Sequence, residues 1–155
     1  MTTAFCHGTF TLNRHWKAQP ARVFRAWSTP ELKAQWFTGP PERWTLIERA
    51  LDFTVGGTEI LHGRFNETGN TTLFQARFHL IEPDQRLVYS YDLHLAGVFH
   101  SITLASLTLT PEGDGTAVAY TEQIVFVDGT DGTESRRHGT SLQYDLIETL
   151  VDGDA

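Results

Sequence analysis

A chain of 155 residues, 40% hydrophobic and 12% aromatic, is long enough for one self-sufficient core and too apolar for a disordered segment. Its one cysteine, Cys6, excludes an internal disulfide, and no apolar run approaches the ~18 residues of a membrane span. A formal charge of −7, with only two lysines (Lys17 and Lys33) and no basic stripe, argues against nucleic acid and anionic membrane surfaces as partners.

In chain order, His7 to Trp16 alternates Phe10 and Leu12 against Thr9 and Thr11, which predicts a strand. Pro20 suits a first helical turn, and Val23, Phe24 and Trp27 follow on one helical face. A second short helix is expected from Thr29 as N-cap, with Pro30 at the first helical position, Glu31 at the positive end, and Leu32 and Trp36 on one side. Gly39-Pro40-Pro41 ends it.

The period then changes to two. Trp44 to Val55 and Thr58 to Phe65 are expected to form a hairpin about Gly56-Gly57. Thr71 to Ile81 puts Phe74, Ala76, Phe78 and Leu80 on one face, and Leu87, Tyr89, Tyr91 and Leu93 alternate in the next strand. Ser101 to Thr110 sets Ala105, Leu107 and Leu109 against Ser106 and Thr108. The last strand lines up Val118, Tyr120, Glu122, Ile124 and Phe126. One apolar and one polar face per strand marks an antiparallel sheet solvated on one side. From Thr133 to about Val151, Leu142, Leu146 and Leu150 recur at helical spacing with Ile147 and Val151 beside them. A long twisted meander needs a cover for its concave face, and this helix is the only element long enough. The expected fold is α+β, a single domain over residues 1–155. A curved antiparallel sheet of about six to seven strands grips a long C-terminal helix, with two short helices after the first strand.

Val23-Phe24-Arg25-Ala26-Trp27, Thr29-Pro30-Glu31-Leu32, Trp36-Phe37 and the Gly56-Gly57 hairpin together resemble the family named for activators of the heat-shock protein 90 ATPase. Gly113-Asp114-Gly115-Thr116, Thr121-Glu122-Gln123 and Arg137-His138-Gly139 extend the resemblance over nearly the whole chain, with Phe37 standing where the family often has a second Trp. The resemblance implies the helix-grip fold of the START and birch-pollen-allergen-like (polyketide cyclase) superfamily. Members of that superfamily bind lipids, sterols, hormones and aromatic polyketides beneath the long helix, and some are cyclases. Fold alone does not assign a function.

Glu122 shares strand parity with apolar neighbours, so its carboxylate is sent toward the core, where burial is costly unless it is paired. It reads as a polar anchor for a ligand or a general acid/base, unless a bulge turns it outward or an arginine pairs with it. Tyr89, Tyr91 and Tyr120 supply apolar walls with hydroxyl tips, suited to orienting a ligand or to plain core packing. Trp27, Trp36 and Trp44 are expected to plug one end of the sheet. Gly139, inside the last helix and three residues before Leu142, is expected to face the sheet closely. Arg136 and Arg137 stand near a helix start, poorly placed against its dipole. They are read as solvated partners of Glu134 and Asp131, the alternative being that one enters the cavity.

No pair of the seven histidines has helical zinc-ligand spacing, no Gly-rich loop opens a helix, and Cys6 has no local partner, so neither metal nor cofactor is expected. The first 77 residues carry a net +3 and the remainder −10, a solvated face or an acidic docking surface. The expected function is binding of a small hydrophobic molecule, aromatic or lipid-like, in a cavity walled by Phe74, Phe78, Tyr89, Tyr91, Leu107, Tyr120 and Leu142, with Glu122 as polar contact. The alternatives are a chaperone-associated regulator resembling the heat-shock protein 90 ATPase activators, and a cyclase- or hydrolase-like enzyme using Glu122 as general acid/base. The N-terminus has no basic and apolar leader pattern, so a cytoplasmic location is expected, as monomer or homodimer.

Overall fold

The computed structural model describes residues 2–153. Strand β1 (Cys6–Trp16) leads into helices α1 (Pro20–Ser28) and α2 (Pro30–Trp36). Strands β2 (Trp44–Leu51), β3 (Thr58–Phe65), β4 (Thr71–Glu82), β5 (Arg86–Leu95), β6 (Val98–Glu112) and β7 (Gly115–Phe126) precede helix α3 (Thr133–Asp152). All seven strands form one antiparallel sheet in the order β1-β7-β6-β5-β4-β3-β2. The meander is therefore continuous from β2 to β7, and β1 returns to pair with the last strand. Among the described residues no helix is long and apolar enough to cross a membrane.

Proline starts both short helices, where its missing N–H forfeits no helical bond. Buried Val23, Phe24, Ala26 and Trp27 fix α1 on the sheet, and Trp36 Nε1 donates to the Ala26 carbonyl at 2.8 Å, locking α2 beneath it. The buried side of α2 carries Lys33 with Trp36, whereas Leu32 is only half-buried. Strand β2 stops at Leu51, short of the expected Val55. Asp52 to Gly57 form a compact turn with Gly56 at φ +83°, and Phe53 leaves the strand to pack on Phe24 and Phe78.

Helix α3 lies against the concave face by Thr140, Tyr144, Ile147 and Val151. This corrects the expected orientation: Leu142 and Leu146 are 53% and 50% exposed, and only Leu150 packs partly against the core. Two ties hold the helix in this rotation. Arg14 on β1 donates to Asp145 and Ser141, and Asp152 accepts the backbone N–H groups of Lys17 and Ala18 at 2.9 Å each. Gly139 consequently faces outward with no heavy atom near its would-be Cβ, so it makes no close approach to the sheet.

Candidate functional site

The inward positions of β5, β6 and β7 meet the inner face of α3 over a polar patch. Alternation places Tyr89 and Tyr91 inward on β5, Ser101, Thr103 and Ala105 on β6, and Tyr120 and Glu122 on β7. Ala105 stands opposite Tyr89 on one side and Glu122 on the other, so its small side chain leaves room for the longer ones to converge above it. Glu122, 2% exposed, accepts from Tyr91 Oη at 3.0 and 3.1 Å and from Tyr120 Oη at 2.5 Å. Tyr89 and Tyr120 hydroxyls are 2.9 Å apart. With Tyr120 donating to the carboxylate, its oxygen is left to accept from Tyr89.

Arg136 enters from α3. It donates to Tyr91 Oη at 2.9 Å, Thr103 Oγ1 at 3.0 Å and Ser101 Oγ at 2.8 Å, and lies 3.6 Å from Glu122. Its guanidinium carbon sits 5.6 Å from the rings of Tyr91 and Phe126. The cation therefore neutralises Glu122 directly and holds its hydrogen-bond donor Tyr91. This overturns the solvated pairing with Glu134 and Asp131.

The charges and protons in this patch are set by burial. Desolvation raises the Glu122 carboxyl above its ordinary range, opposed by the Tyr120 hydrogen bond and by Arg136. Tyr89, Tyr91, Tyr120 and Tyr144 are all pushed up, first by burial and then by neighbouring charges, Glu122 among them in each case, so they remain neutral hydroxyls.

Above the patch lies a chamber of about 200 Å³. Its wall is a closed circuit of aromatic rings. From Trp36 the contacts run to Phe37 (5.7 Å between ring centres), Phe74 (4.7 Å), Tyr91 (4.6 Å) and Tyr89 (6.1 Å). The hydroxyl contact carries the circuit to Tyr120, which continues to Tyr144 (5.2 Å), Trp27 (5.9 Å) and back to Trp36 (5.4 Å). Opposite Glu122's patch, Lys33 projects from α2 into the same chamber and pairs with Glu59 of β3 at 2.9 Å, both side chains buried. Its Nζ is 4.9 Å from the Phe37 ring centre and 5.3 Å from that of Trp36.

The sequence profile described as activator of Hsp90 ATPase homolog 1-like protein matches residues 17–152. The chain belongs to that family. Two solved structures are similar to this chain. An uncharacterized protein from Rhizobium leguminosarum is 36% identical with a TM-score of 0.90, covering 97% of this chain and 98% of that one. A protein from Rhizobium loti is 34% identical with a TM-score of 0.86, covering 94% and 98%. A protein of unknown function from Staphylococcus aureus, 15% identical over 95% of this chain and 94% of that one, shares the helix-grip fold at a TM-score of 0.76. No curated protein is significantly similar in sequence.

Of the expected wall residues, Phe74, Tyr89, Tyr91, Tyr120 and Glu122 line the chamber of this family member. Phe78 and Leu107 do not; both are 1% exposed and pack in the core. Leu142 faces solvent, because the helix turns Tyr144 inward in its place. Trp27 and Trp36 both plug the sheet and wall the chamber, while Trp44 covers Gly39 and Gly63 instead. Lys33 and Tyr144 are not among the expected site residues, and Arg136 realises the alternative in which one arginine enters the cavity. Lys33 stands three residues before Trp36 on the same helical face, and Ser101 and Thr103 share parity with Ala105 and Leu107. Those spacings were the available signals.

Proposed function

We propose that this protein binds a small aromatic molecule in the chamber between the sheet, α2 and α3. The observation that carries the reading is the aromatic circuit around an open volume whose floor holds a buried carboxylate hydrogen-bonded by two tyrosines. A filled core would bring those rings into contact across the gap. A dry cavity of ~150 Å³ admits benzene, so about 200 Å³ has room for one substituted ring. Glu122 serves as an organising centre: its oxygens already accept from Tyr91 and Tyr120 and its charge is matched by Arg136. Those interactions stabilise the ionised anchor and oppose its use as a freely exchanging general base.

Trp27 and Trp36 in the wall make intrinsic fluorescence the natural readout. Titration with one-ring aromatic compounds is expected to give saturable, one-to-one quenching. Leu61→Phe, which adds a ring to the chamber wall, is expected to weaken binding at least several-fold. Quenching that is non-saturating, or untouched by Leu61→Phe, refutes the site.

A further inference from the structure

The chamber's charges and unused protons define its ligand more narrowly. Lys33 is 4% exposed, and among the described residues its ammonium donates one hydrogen bond, to Glu59 Oε1. An ammonium has three N–H donors. The other two make no hydrogen bond among the described residues; the π faces of Phe37 and Trp36 stand near the ammonium and attract its charge but do not accept a directed hydrogen bond of ordinary strength. Tyr144 presents a second surplus. The residue belongs to the chamber wall, and its hydroxyl is buried with no hydrogen-bond partner among the described residues. A buried donor without an acceptor is rare in folded proteins because its desolvation goes uncompensated.

The ionic groups point the same way. Lys33 is closed on Glu59 and Arg136 on Glu122, while Arg49, which also faces Glu59, lies outside the chamber lining and donates to the Phe37 carbonyl at 2.8 Å. An anionic or cationic ligand would bring in a charge for which the lining itself offers no unpaired counter-ion, and uncompensated charge in a desolvated site is strongly disfavoured. What the two surplus donors lack is an uncharged acceptor.

We infer that the chamber selects an uncharged one-ring compound bearing a hydrogen-bond acceptor oxygen, such as an aryl ketone or aldehyde, with Lys33 and Tyr144 as the donors that read it. This rests on the chamber being the ligand site, and the test separates the two. Ethylbenzene is the carbon skeleton of acetophenone without the carbonyl oxygen, and the hydrophobic effect alone favours ethylbenzene because it leaves water more readily. A preference for acetophenone therefore has to come from hydrogen bonding in the site.

Affinities of the full chain for acetophenone, ethylbenzene, benzoate and phenethylamine are measured by tryptophan fluorescence and calorimetry. Acetophenone is expected to bind roughly tenfold or more tightly than ethylbenzene, the discrimination typical of a site whose donor is otherwise left unpaired, with benzoate and phenethylamine weaker than acetophenone. The preference is expected to shrink in Tyr144→Phe, which removes only a hydroxyl. It should shrink further in Lys33→Met combined with Glu59→Gln, which avoids stranding Glu59; Tyr144→Phe alone decides the matter if the double variant does not fold. Equal binding of ethylbenzene and acetophenone, or a preference untouched by Tyr144→Phe and, where it folds, by the double variant, overturns this inference while leaving the chamber as a binding site. Tightest binding of benzoate overturns the requirement for an uncharged ligand. Failure of all four to bind overturns the chamber reading, and this inference with it.

Discussion

Arg136→Met tests whether the buried carboxylate organises the chamber. The guanidinium lies 3.6 Å from Glu122, and at an effective dielectric of ~20 that separation corresponds to about 4–5 kcal/mol of attraction. Removing one partner of a buried ion pair typically costs about 3–5 kcal/mol, because the other charge stays behind. Three hydrogen bonds, to Tyr91, Thr103 and Ser101, go as well. The variant should therefore be about 3–5 kcal/mol less stable than the parent at pH 8, still folded if total stability lies in the usual range of roughly 5–15 kcal/mol. The loss should shrink at low pH, since a protonated Glu122 no longer needs a counter-ion. Urea denaturation at pH 8 and pH 5 measures both values, and exposed Arg137→Met provides the control. Two results would refute the reasoning: a loss at pH 8 no larger than that of Arg137→Met, or an undiminished loss for Arg136→Met in a Glu122→Gln background.

Three further outcomes are expected. Gly139→Ala should stabilise the protein by about 0.5–1 kcal/mol, because the residue is mid-helix, exposed, and has nothing within 4 Å of an added Cβ; a lower melting temperature contradicts the observed packing. Ile147→Ala should cost about 2–5 kcal/mol and Leu142→Ala less than about 0.5 kcal/mol in chemical denaturation, the opposite of what inward-facing leucines would give. In pH dependence, Glu122 is raised above its ordinary 4.5, so its contribution to stability is complete below that value and is lost as pH rises through the folded value. Glu82, held low by Arg86, and Asp131, held low by Thr133, contribute in the opposite sense, being lost as pH falls. Glu122→Gln should therefore remove a downward component from the melting-temperature profile above pH 4.5, and parallel profiles for variant and parent would contradict this.

The strands were legible because a period of two admits only two choices, and one apolar residue decides between them. Phe10 and Leu12 settled β1, and Val118 with Ile124 carried Glu122 inward although its own chemistry argues for solvent. The helix α3 was not legible in the same way. A period of 3.6 leaves a continuum of rotations, and the leucine stripe at 142, 146 and 150 competes with Thr140, Tyr144, Ile147 and Val151, centred about 130° around the helix from it. What selects the second face is outside the helix: Arg14 and the Lys17 and Ala18 amides capture Asp145 and Asp152, and Trp16 and Trp27 receive the Tyr144 ring. Lys33 is absent from the expected site, and Arg136 enters it only as the less favoured alternative, for a related reason. A cation is assigned to solvent by default, and only the positions of Glu59 and Glu122, strands away in sequence, make burial affordable.

The inward positions of β6 show how one sheet supports both a core and a chamber. Along the strand they run Ser101, Thr103, Ala105, Leu107, Leu109, passing from hydroxyl to methyl to isobutyl. The leucine end meets Leu87 and Val118 and packs solid, which anchors the sheet's curvature. The hydroxyl end accepts Arg136 and so draws the start of α3 toward the sheet through polar contacts, where a leucine would have drawn it through bulk. Between them, Ala105 is opposite both Tyr89 and Glu122, too small to fill the space those side chains frame. The chamber thus follows from a gradient of side-chain size and polarity along a single strand. Its floor is polar because the residues that keep it open must be hydrogen-bonded to be buried at all.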